Sequence, residues 1–146
     1  MGQDHSLSTH MKSDEDIVRS RVRKLVETWS SVWDEKTTER AAEFYSKDKG
    51  LVFFDVGPIH LGWDQYSGSI ERSFQSIMSL KLRLNDDMGV VLDENFALTT
   101  ATGLMTTVTK DGKTDELNVR FTGVWRRERG SWVLVHDHWS QYRPAR

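Results

Sequence analysis

The clearest candidate for acid–base chemistry is an aspartate at the end of a short apolar run. Asp55 follows Leu51-Val52-Phe53-Phe54, so its carboxylate is expected to enter an apolar space. Removal from water disfavours the charged form of a carboxyl group and makes its conjugate base stronger. Asp55 is therefore a candidate general base, which would remove a proton from carbon or start an elimination without a metal. The alternative is that Asp55 only caps the turn into Val56-Gly57.

A second candidate site is the stretch WVLVHDHWS near the C-terminus, which places His136 and His138 two residues apart. On a strand, such residues point to the same face, so both histidines are expected beside Leu134 and Ser140. A neutral imidazole that lines a cavity donates a hydrogen bond to a substrate oxygen or relays a proton near neutral pH. The alternative is that one histidine is a core residue bonded to a neighbouring strand, and the sequence does not rank the two.

The same histidine pair raises the question of a metal site. Two histidines at this spacing are able to bind zinc or iron, but a catalytic metal normally takes a third protein ligand. His60 is the remaining histidine after residue 14, and nothing in its spacing brings it to the pair. Cysteine is absent, which removes thiolate ligands and thiol catalysis. We expect no metal ion and no other cofactor, with a metal-dependent enzyme as the lesser alternative.

An arginine near the end of the chain is a further candidate. Arg120 and Thr122 share one face of the strand VRFTGVW. On a concave inner face, Arg120 would need an acid such as Asp55 or an anionic substrate group beside it. On an outer face it would be solvated.

Aromatic residues are numerous in this chain, with six tryptophans and three tyrosines. Rings of this kind are typical of cores and dimer interfaces. A subset is expected to form a flat slot that binds a planar hydrophobic ligand. We assign Trp29, Trp33 and Tyr66 to that slot. Phe53 and Thr122 are expected as further substrate-binding residues.

Composition and motifs exclude several classes of function. The 146 residues fit one domain, and 20 basic against 22 acidic residues give a formal charge of −2, without the charged blocks that favour nucleic acid or anionic lipid. No apolar run approaches the ~20 residues of a membrane span, and no signal-peptide pattern is seen. The glycine-rich nucleotide motifs and common hydrolase motifs are missing. We expect a cytoplasmic protein that binds a small hydrophobic molecule, and neither nucleic acid nor membrane.

The first half of the chain has the periodicity of helices. Apolar residues recur at steps of three and four from residue 14 to 33, after a polar stretch, 1–13, that is expected to be a flexible tail. Two shorter helices are predicted over 38–46 and 63–79. A strand over 51–55 and a loop over 56–62 that contains Gly and Pro are expected between these helices.

The second half of the chain changes to a period of two, which predicts strands. Asp111-Gly112 favours a tight reversal between two of them. Helices followed by an antiparallel sheet are typical of the α+β class, in which the helices bury their apolar faces on one side of the sheet. The predicted strands cover residues 80–84, 90–92, 96–109, 117–127 and 131–142.

This order of elements, the segment LVFFDVGPIHLG and the ending VRFTGVWRRERGSWVLVHDHWS resemble the SnoaL-like and ketosteroid isomerase-like branch of the nuclear transport factor 2-like superfamily. The resemblance covers residues 14–143. It implies an α+β fold in which three N-terminal helices pack on the concave face of a cone-shaped, curved, mostly antiparallel sheet around a hydrophobic pocket. It also implies a homodimer. Members include cofactor-free isomerases and lyases as well as binding and assembly domains, so the fold alone does not choose a function.

The match to the ketosteroid isomerases is local and concerns LVFFDVG followed by Gly62. It implies that Asp55 takes the position of the general base. Those enzymes also hold the developing enolate with a tyrosine on the first helix and a second, protonated acid. Trp29 takes the position of that tyrosine here, and no acid on the later strands is assigned to the second role.

The expected function is a cofactor-independent isomerase or lyase acting on a small hydrophobic carbonyl or hydroxyl compound, aromatic compounds included. Asp55 would be the base, and a histidine of the pair together with Arg120 would steady the oxyanion. The alternative is a non-catalytic module for ligand binding or homo-oligomeric assembly.

Overall fold

The computed structural model describes residues 2–145, with side chains from residue 14 onward. Two short 3-10 turns, Trp33–Glu35 and Ala41–Phe44, lie between the first helix and the first strand. The described residues confirm an α+β protein with a mostly antiparallel sheet. Its helices and strands are α1 Gly2–Val32, β1 Val52–Phe54, β2 Ile59–Leu61, α2 Gly62–Phe74, β3 Ile77–Leu84, β4 Gly89–Leu92, β5 Phe96–Thr109, β6 Thr114–Glu128 and β7 Ser131–Gln141.

The first helix carries the apolar stripe that its sequence predicts. Val22, Val26, Trp29 and Val32 are all buried, at the spacing of one helical face. The helix is assigned from Gly2, so it includes the stretch that was expected to be a separate tail; a domain boundary near residue 14 stays a prediction. No helix among residues 2–145 has both the length and the apolar character needed to cross a membrane.

The prediction of three helices is wrong, because the described residues contain two α-helices. The segment 38–46 forms only the 3-10 turn Ala41–Phe44, after which Tyr45 is extended, with φ −106° and ψ 138°. Tyr45 bridges Leu134 of β7, and the N–H of Ser46 donates to the carbonyl of Leu134 at 2.9 Å. Pairing with the sheet therefore replaces helical hydrogen bonds in this segment.

The last predicted helix ends five residues early. α2 stops at Phe74, and β3 begins at Ile77 and pairs with β5. Met78, predicted to be buried in a helix, is 58% exposed on this strand. Pairing with β5 satisfies the backbone of this segment in place of a further helical turn.

The loop predicted over 56–62 is in fact a tight hairpin that contains β2. β1 and β2 pair antiparallel, with Phe53 opposite His60, and the N–H of Asp55 donates to the carbonyl of Pro58 at 3.0 Å. Gly62 starts α2 with a left-handed φ of 77°, a conformation that suits glycine. This hairpin fixes where Asp55 lies at the end of β1.

All seven strands of the described chain belong to one sheet, in the order β2-β1-β7-β6-β5-β3, with β4 also pairing β5. Among the pairs of these strands, only β1 and β7 run parallel, as does the isolated bridge between Tyr45 and Leu134. The helices cover one side of this sheet, which we call the inner face. The ring of Trp29 on α1 packs there against Phe121, Trp125 and Trp139, with centroids 5.2–5.8 Å apart.

A β-bulge in the last strand changes which side chains reach the inner face. Val124 of β6 pairs with His136, whereas Trp125 pairs with Leu134, so Val135 has no partner across the strand pair. An extra residue of this kind reverses the alternation of side chains beyond it. The prediction that Leu134 shares a face with the two histidines is therefore wrong.

Candidate functional site

A cavity of about 380 Å³ lies between α2 and the inner face of the sheet. Its wall is mainly apolar and includes two tryptophans. The polar residues of the wall contribute one carboxyl group, one phenol and three aliphatic hydroxyl groups. The lining residues are Trp33, Asp55, Val56, Tyr66, Ile70, Ser73, Phe74, Ser76, Ile77, Leu80, Leu82, Met105, Thr107, Leu117 and Trp139.

Asp55 both caps its turn and lines this cavity. One carboxylate oxygen, Oδ1, accepts a hydrogen bond from the N–H of Val56 at 2.8 Å. Burial raises the pKa of Asp55 above its ordinary value, while the bond from Val56 and the nearby His60 partly oppose that rise. The two interpretations of Asp55 are thus compatible, because the capped carboxyl still faces apolar space as a strengthened base.

A second acid, Asp137, lies behind the cavity wall and is fully buried. In the sequence it stands between His136 and His138 of β7. Its Oδ2 accepts hydrogen bonds from the hydroxyl groups of Tyr45 at 2.6 Å and Tyr66 at 3.4 Å. Burial raises the pKa of Asp137 to about 7, the bond from Tyr45 opposes the rise, and the charge of Asp55 adds to it. Near neutral pH, this carboxyl group exchanges between its neutral and charged forms.

The two tyrosines keep their protons and act as donors toward Asp137. Burial raises the pKa of both phenols well above the ordinary value, and the charge of Asp137 adds to the effect. The indole Nε1 of Trp29 in turn donates to the hydroxyl of Tyr45 at 3.3 Å. Tyr66 is the member of this network that reaches the cavity wall, so it couples the buried acid to the space where a ligand would sit.

Two rings of the β1–β2 hairpin pack on Tyr66. Phe53 stacks on it at a centroid distance of 5.2 Å, and His60 stacks on it at 5.1 Å with an interplanar angle of 15°. His60 is buried, and its Nε2 has no hydrogen-bond partner among the described residues. The hairpin therefore fixes the phenol as well as Asp55.

The structure brings together three of the predicted site residues at the cavity: Asp55, Trp33 and Tyr66. Trp29 and Phe53 are fully buried behind the wall and support Tyr45 and Tyr66. The predicted aromatic slot is thus only partly assembled at the cavity surface.

The other predicted site residues lie on the outer face of the sheet, away from the cavity. His136 Nδ1 is 2.6 Å from the carbonyl of Val52, and because a carbonyl only accepts, Nδ1 carries the proton and ties β7 to β1. Arg120 Nε donates to Ser140 Oγ at 2.9 Å. His138, Arg120 and Thr122 line a shallow hollow on this outer face.

Within the described part of the chain, no three His, Asp or Glu side chains cluster in a way that would hold a metal ion. His60 lies on the inner side of the hairpin, whereas His136 and His138 face outward. The third ligand that a histidine pair would need is therefore on the wrong side of the sheet.

Sequence reasoning missed Asp137 and Tyr45. The alternating pattern around Asp137 contained a usable signal, because Trp139 two residues later is a large aromatic of the kind that faces a core. That signal favours Asp137 and Trp139, and not the histidines, as the inward residues. Tyr45 carried no such signal, because its segment had the apolar spacing of a helix.

Three solved structures show the similarity of fold. A candidate dehydratase of the NTF2-like family from Streptomyces avermitilis is 18% identical, with a TM-score of 0.78, over 88% of this chain and 99% of that one. An NTF2-like superfamily protein from Salmonella enterica serovar Typhimurium is 18% identical, with a TM-score of 0.81, over 90% and 94% of the chains. A candidate scytalone dehydratase from Novosphingobium aromaticivorans is 12% identical, with a TM-score of 0.78, over 90% and 89%.

At such identities the structural matches show the fold alone. A comparison with curated proteins finds no match. The family described as SnoaL-like domain matches residues 22–144, which include both helices' buried faces and the whole sheet. The chain therefore belongs to the SnoaL-like domain family.

Proposed function

We propose that this protein is a cofactor-independent isomerase or lyase that acts on a small hydrophobic carbonyl or hydroxyl compound. The observation that carries this proposal is the presence of Asp55 and the Asp137-backed Tyr66 in one largely apolar cavity. A strengthened base and a fixed hydrogen-bond donor in a dry site are what proton abstraction next to a carbonyl requires.

In the proposed reaction, Asp55 removes a proton from the carbon next to the substrate carbonyl. The C–H electron pair forms an enolate, and the hydroxyl of Tyr66 donates a hydrogen bond to the enolate oxygen. Returning the proton from Asp55 to another carbon completes an isomerisation. Expelling a β-hydroxyl as water, with the proton supplied by Asp55, completes a dehydration.

The buried acid tunes the donor in this scheme. When Asp137 is neutral, the phenol of Tyr66 is free to donate into the cavity, because the charged acceptor behind it is gone. When Asp137 is charged, its Oδ2 competes for the same proton of Tyr66, at 3.4 Å. The two solved structures described as candidate dehydratases support the lyase form of the reaction by analogy of fold.

The test measures exchange of carbon-bound protons for deuterium, which does not require the natural substrate. With 6-acetyl-2-naphthol in D₂O, NMR follows loss of the acetyl methyl signal with and without the protein. We expect the protein to accelerate this exchange. Asp55→Asn should reduce the acceleration by about 100-fold or more, and Tyr66→Phe by about 100-fold.

A matched control is Asp115→Asn, which makes the same change at an exposed position on β6. Circular dichroism of each variant checks that the fold is retained. Equal exchange rates for the unmodified protein and Asp55→Asn would exclude Asp55 as the base. Exchange no faster than in buffer would favour the non-catalytic binding module instead.

A further inference from the structure

The cavity has two chemically different ends. Tyr66, Ile70 and Ser73 line it from one stripe of α2. Because Tyr66 and Ser73 are seven residues apart and each residue adds about 1.5 Å, the stripe is about 10 Å long. Asp55 lies at the same end of the cavity as Tyr66, because its charge raises the pKa of the Tyr66 phenol.

The far end carries three hydroxyl groups, on Ser73, Ser76 and Thr107, which we call the distal rim. Thr107 pairs with Leu80 of β3, four residues after Ser76. Both serines are exposed and Thr107 is half-buried, so the rim lies at the mouth of the cavity. A ligand that reaches Asp55 with one end therefore meets the rim with the other.

The rim presents mainly hydrogen-bond acceptors. The Oγ of Ser73 donates to the carbonyl of Ser69 at 3.2 Å, and the Oγ of Ser76 donates to the carbonyl of Ser73 at 2.7 Å. A hydroxyl group has one proton and two lone pairs, so each serine oxygen still accepts. A ligand O–H satisfies these acceptors, whereas an ether or a carbonyl does not.

The charge of the cavity wall favours uncharged ligands over anionic ones. Asp55 is the charged residue of the lining, and no Lys, Arg or His is present in the part of the wall that the structure describes. The nearby Lys36 donates instead to the carbonyls of Ile77 and Met78, at 2.8 Å and 3.1 Å. A carboxylate at the rim would meet serine oxygens whose protons are already donated, and no cationic side chain of the described wall would offset its repulsion by Asp55.

We propose that the cavity selects an uncharged, elongated compound with its reacting carbonyl at Asp55 and Tyr66 and a second, proton-donating hydroxyl at the distal rim. The two groups are separated by about 10 Å, the length of the α2 stripe. A flat ketone about 10 Å long with a hydroxyl group at its other end has this form. The proposal rests on the proposed function for the assignment of the reacting end.

Three probes of one shape test this selection by isothermal titration calorimetry: 6-acetyl-2-naphthol, its methyl ether and 6-acetyl-2-naphthoate. We expect the naphthol to bind about five-fold more tightly than the ether, the effect of roughly one net hydrogen bond. The naphthoate should bind at least ten-fold more weakly than the naphthol. In the double variant Ser73→Ala/Ser76→Ala, the ratio of the affinity for the naphthol to the affinity for the ether should fall to near one.

The matched control is Thr100→Val, which removes a hydroxyl from the outer face and should leave the ratio unchanged. The proposal is overturned by a ratio that survives the double serine variant, by naphthoate binding equal to that of the naphthol, or by no binding of any probe. The same ratio is measured in Asp55→Asn. An intact ratio there, with deuterium exchange also intact, would contradict the catalytic role of Asp55 and leave the selection by the rim standing.

Discussion

Asp137 is the residue whose chemistry depends most on the fold. Its Oδ1 has no hydrogen-bond partner among the described residues, and its Oδ2 relies on two phenols. An unpaired oxygen on a buried carboxyl costs free energy, and the cost is larger for the charged form. Positions that retain such a cost are often those where a titrating group serves function.

The pH dependence of stability follows from the shift at Asp137. Its pKa rises from 3.8 in the ordinary state to about 7 in the folded protein, so between these values the folded protein binds a proton that the unfolded chain has lost. The free energy of unfolding therefore falls as pH rises through this range, by on the order of 4 kcal/mol in total. Asp137→Asn removes this ionisation and should flatten that part of the decline.

Urea unfolding near both ends of this range, at acidic and at mildly alkaline pH, measures the effect. The raised pKa of Asp55 also lowers the free energy of unfolding as pH rises. The test is therefore the difference in pH dependence between Asp137→Asn and the unmodified protein. Asp115→Asn should behave like the unmodified protein. An unchanged pH dependence in Asp137→Asn would mean that Asp137 is not the group responsible.

At the scale of elements, the alignment of β5, β6 and β7 decides the shape of the site. Thr99, Gly123 and Asp137 are direct neighbours across these strands. A Cβ on Gly123 would lie 3.0 Å from Thr99 Oγ1, 3.1 Å from Trp125 Nε1 and 3.3 Å from a methyl carbon of Leu134. Close packing around the hydrogen bond from Trp125 to Thr99, which is 3.0 Å long, therefore favours glycine at this position.

Gly123→Ala should lower the free energy of unfolding by about 1–3 kcal/mol, because the added methyl group overpacks the core. The matched change is Gly68→Ala in α2, where the nearest atom to a new Cβ is the end of the Arg72 side chain at 3.6 Å. Alanine should stabilise this helix position by about 0.5–1 kcal/mol. Thermal and urea unfolding of both variants measure the two effects, and equal stability of Gly123→Ala and the unmodified protein would refute the packing argument.

The same elements show what the sequence can and cannot predict. The predicted bounds of β5 are confirmed, because six of its fourteen residues are threonine, which favours strands. The sequence does not predict the end of α2 or the extended segment around Tyr45, because the apolar spacing of both fits a helix. Their pairing with β5 and β7 decides their conformation. The bulge at Val135 leaves no local pattern, so alternation alone places Leu134 on the face of the histidines. The inward position of Asp137 could have been predicted from Trp139.

At the scale of the whole molecule, the outer face of the sheet has no helix over it in the described chain. Val91, Phe96 and Leu98 are 64%, 44% and 40% exposed, and Val91 pairs directly with Leu98 across β4 and β5. These residues form an apolar patch on the side opposite the cavity. Contiguous exposed apolar surface is typical of an interface between proteins.

The homodimer that the sequence analysis expected remains a proposal, and this patch is the place where we expect it to form. Leu98→Glu would put a charge at the centre of the patch, so it should convert the dimer to a monomer without affecting the cavity. Size-exclusion chromatography with light scattering measures the mass in solution. The matched control is Ile59→Glu on β2, where the side chain is 70% exposed at the other edge of the sheet. A dimer that survives Leu98→Glu but dissociates with Ile59→Glu would move the interface to the β1–β2 hairpin. Because this hairpin contains Asp55 and its rings pack on Tyr66, deuterium exchange would then depend on protein concentration.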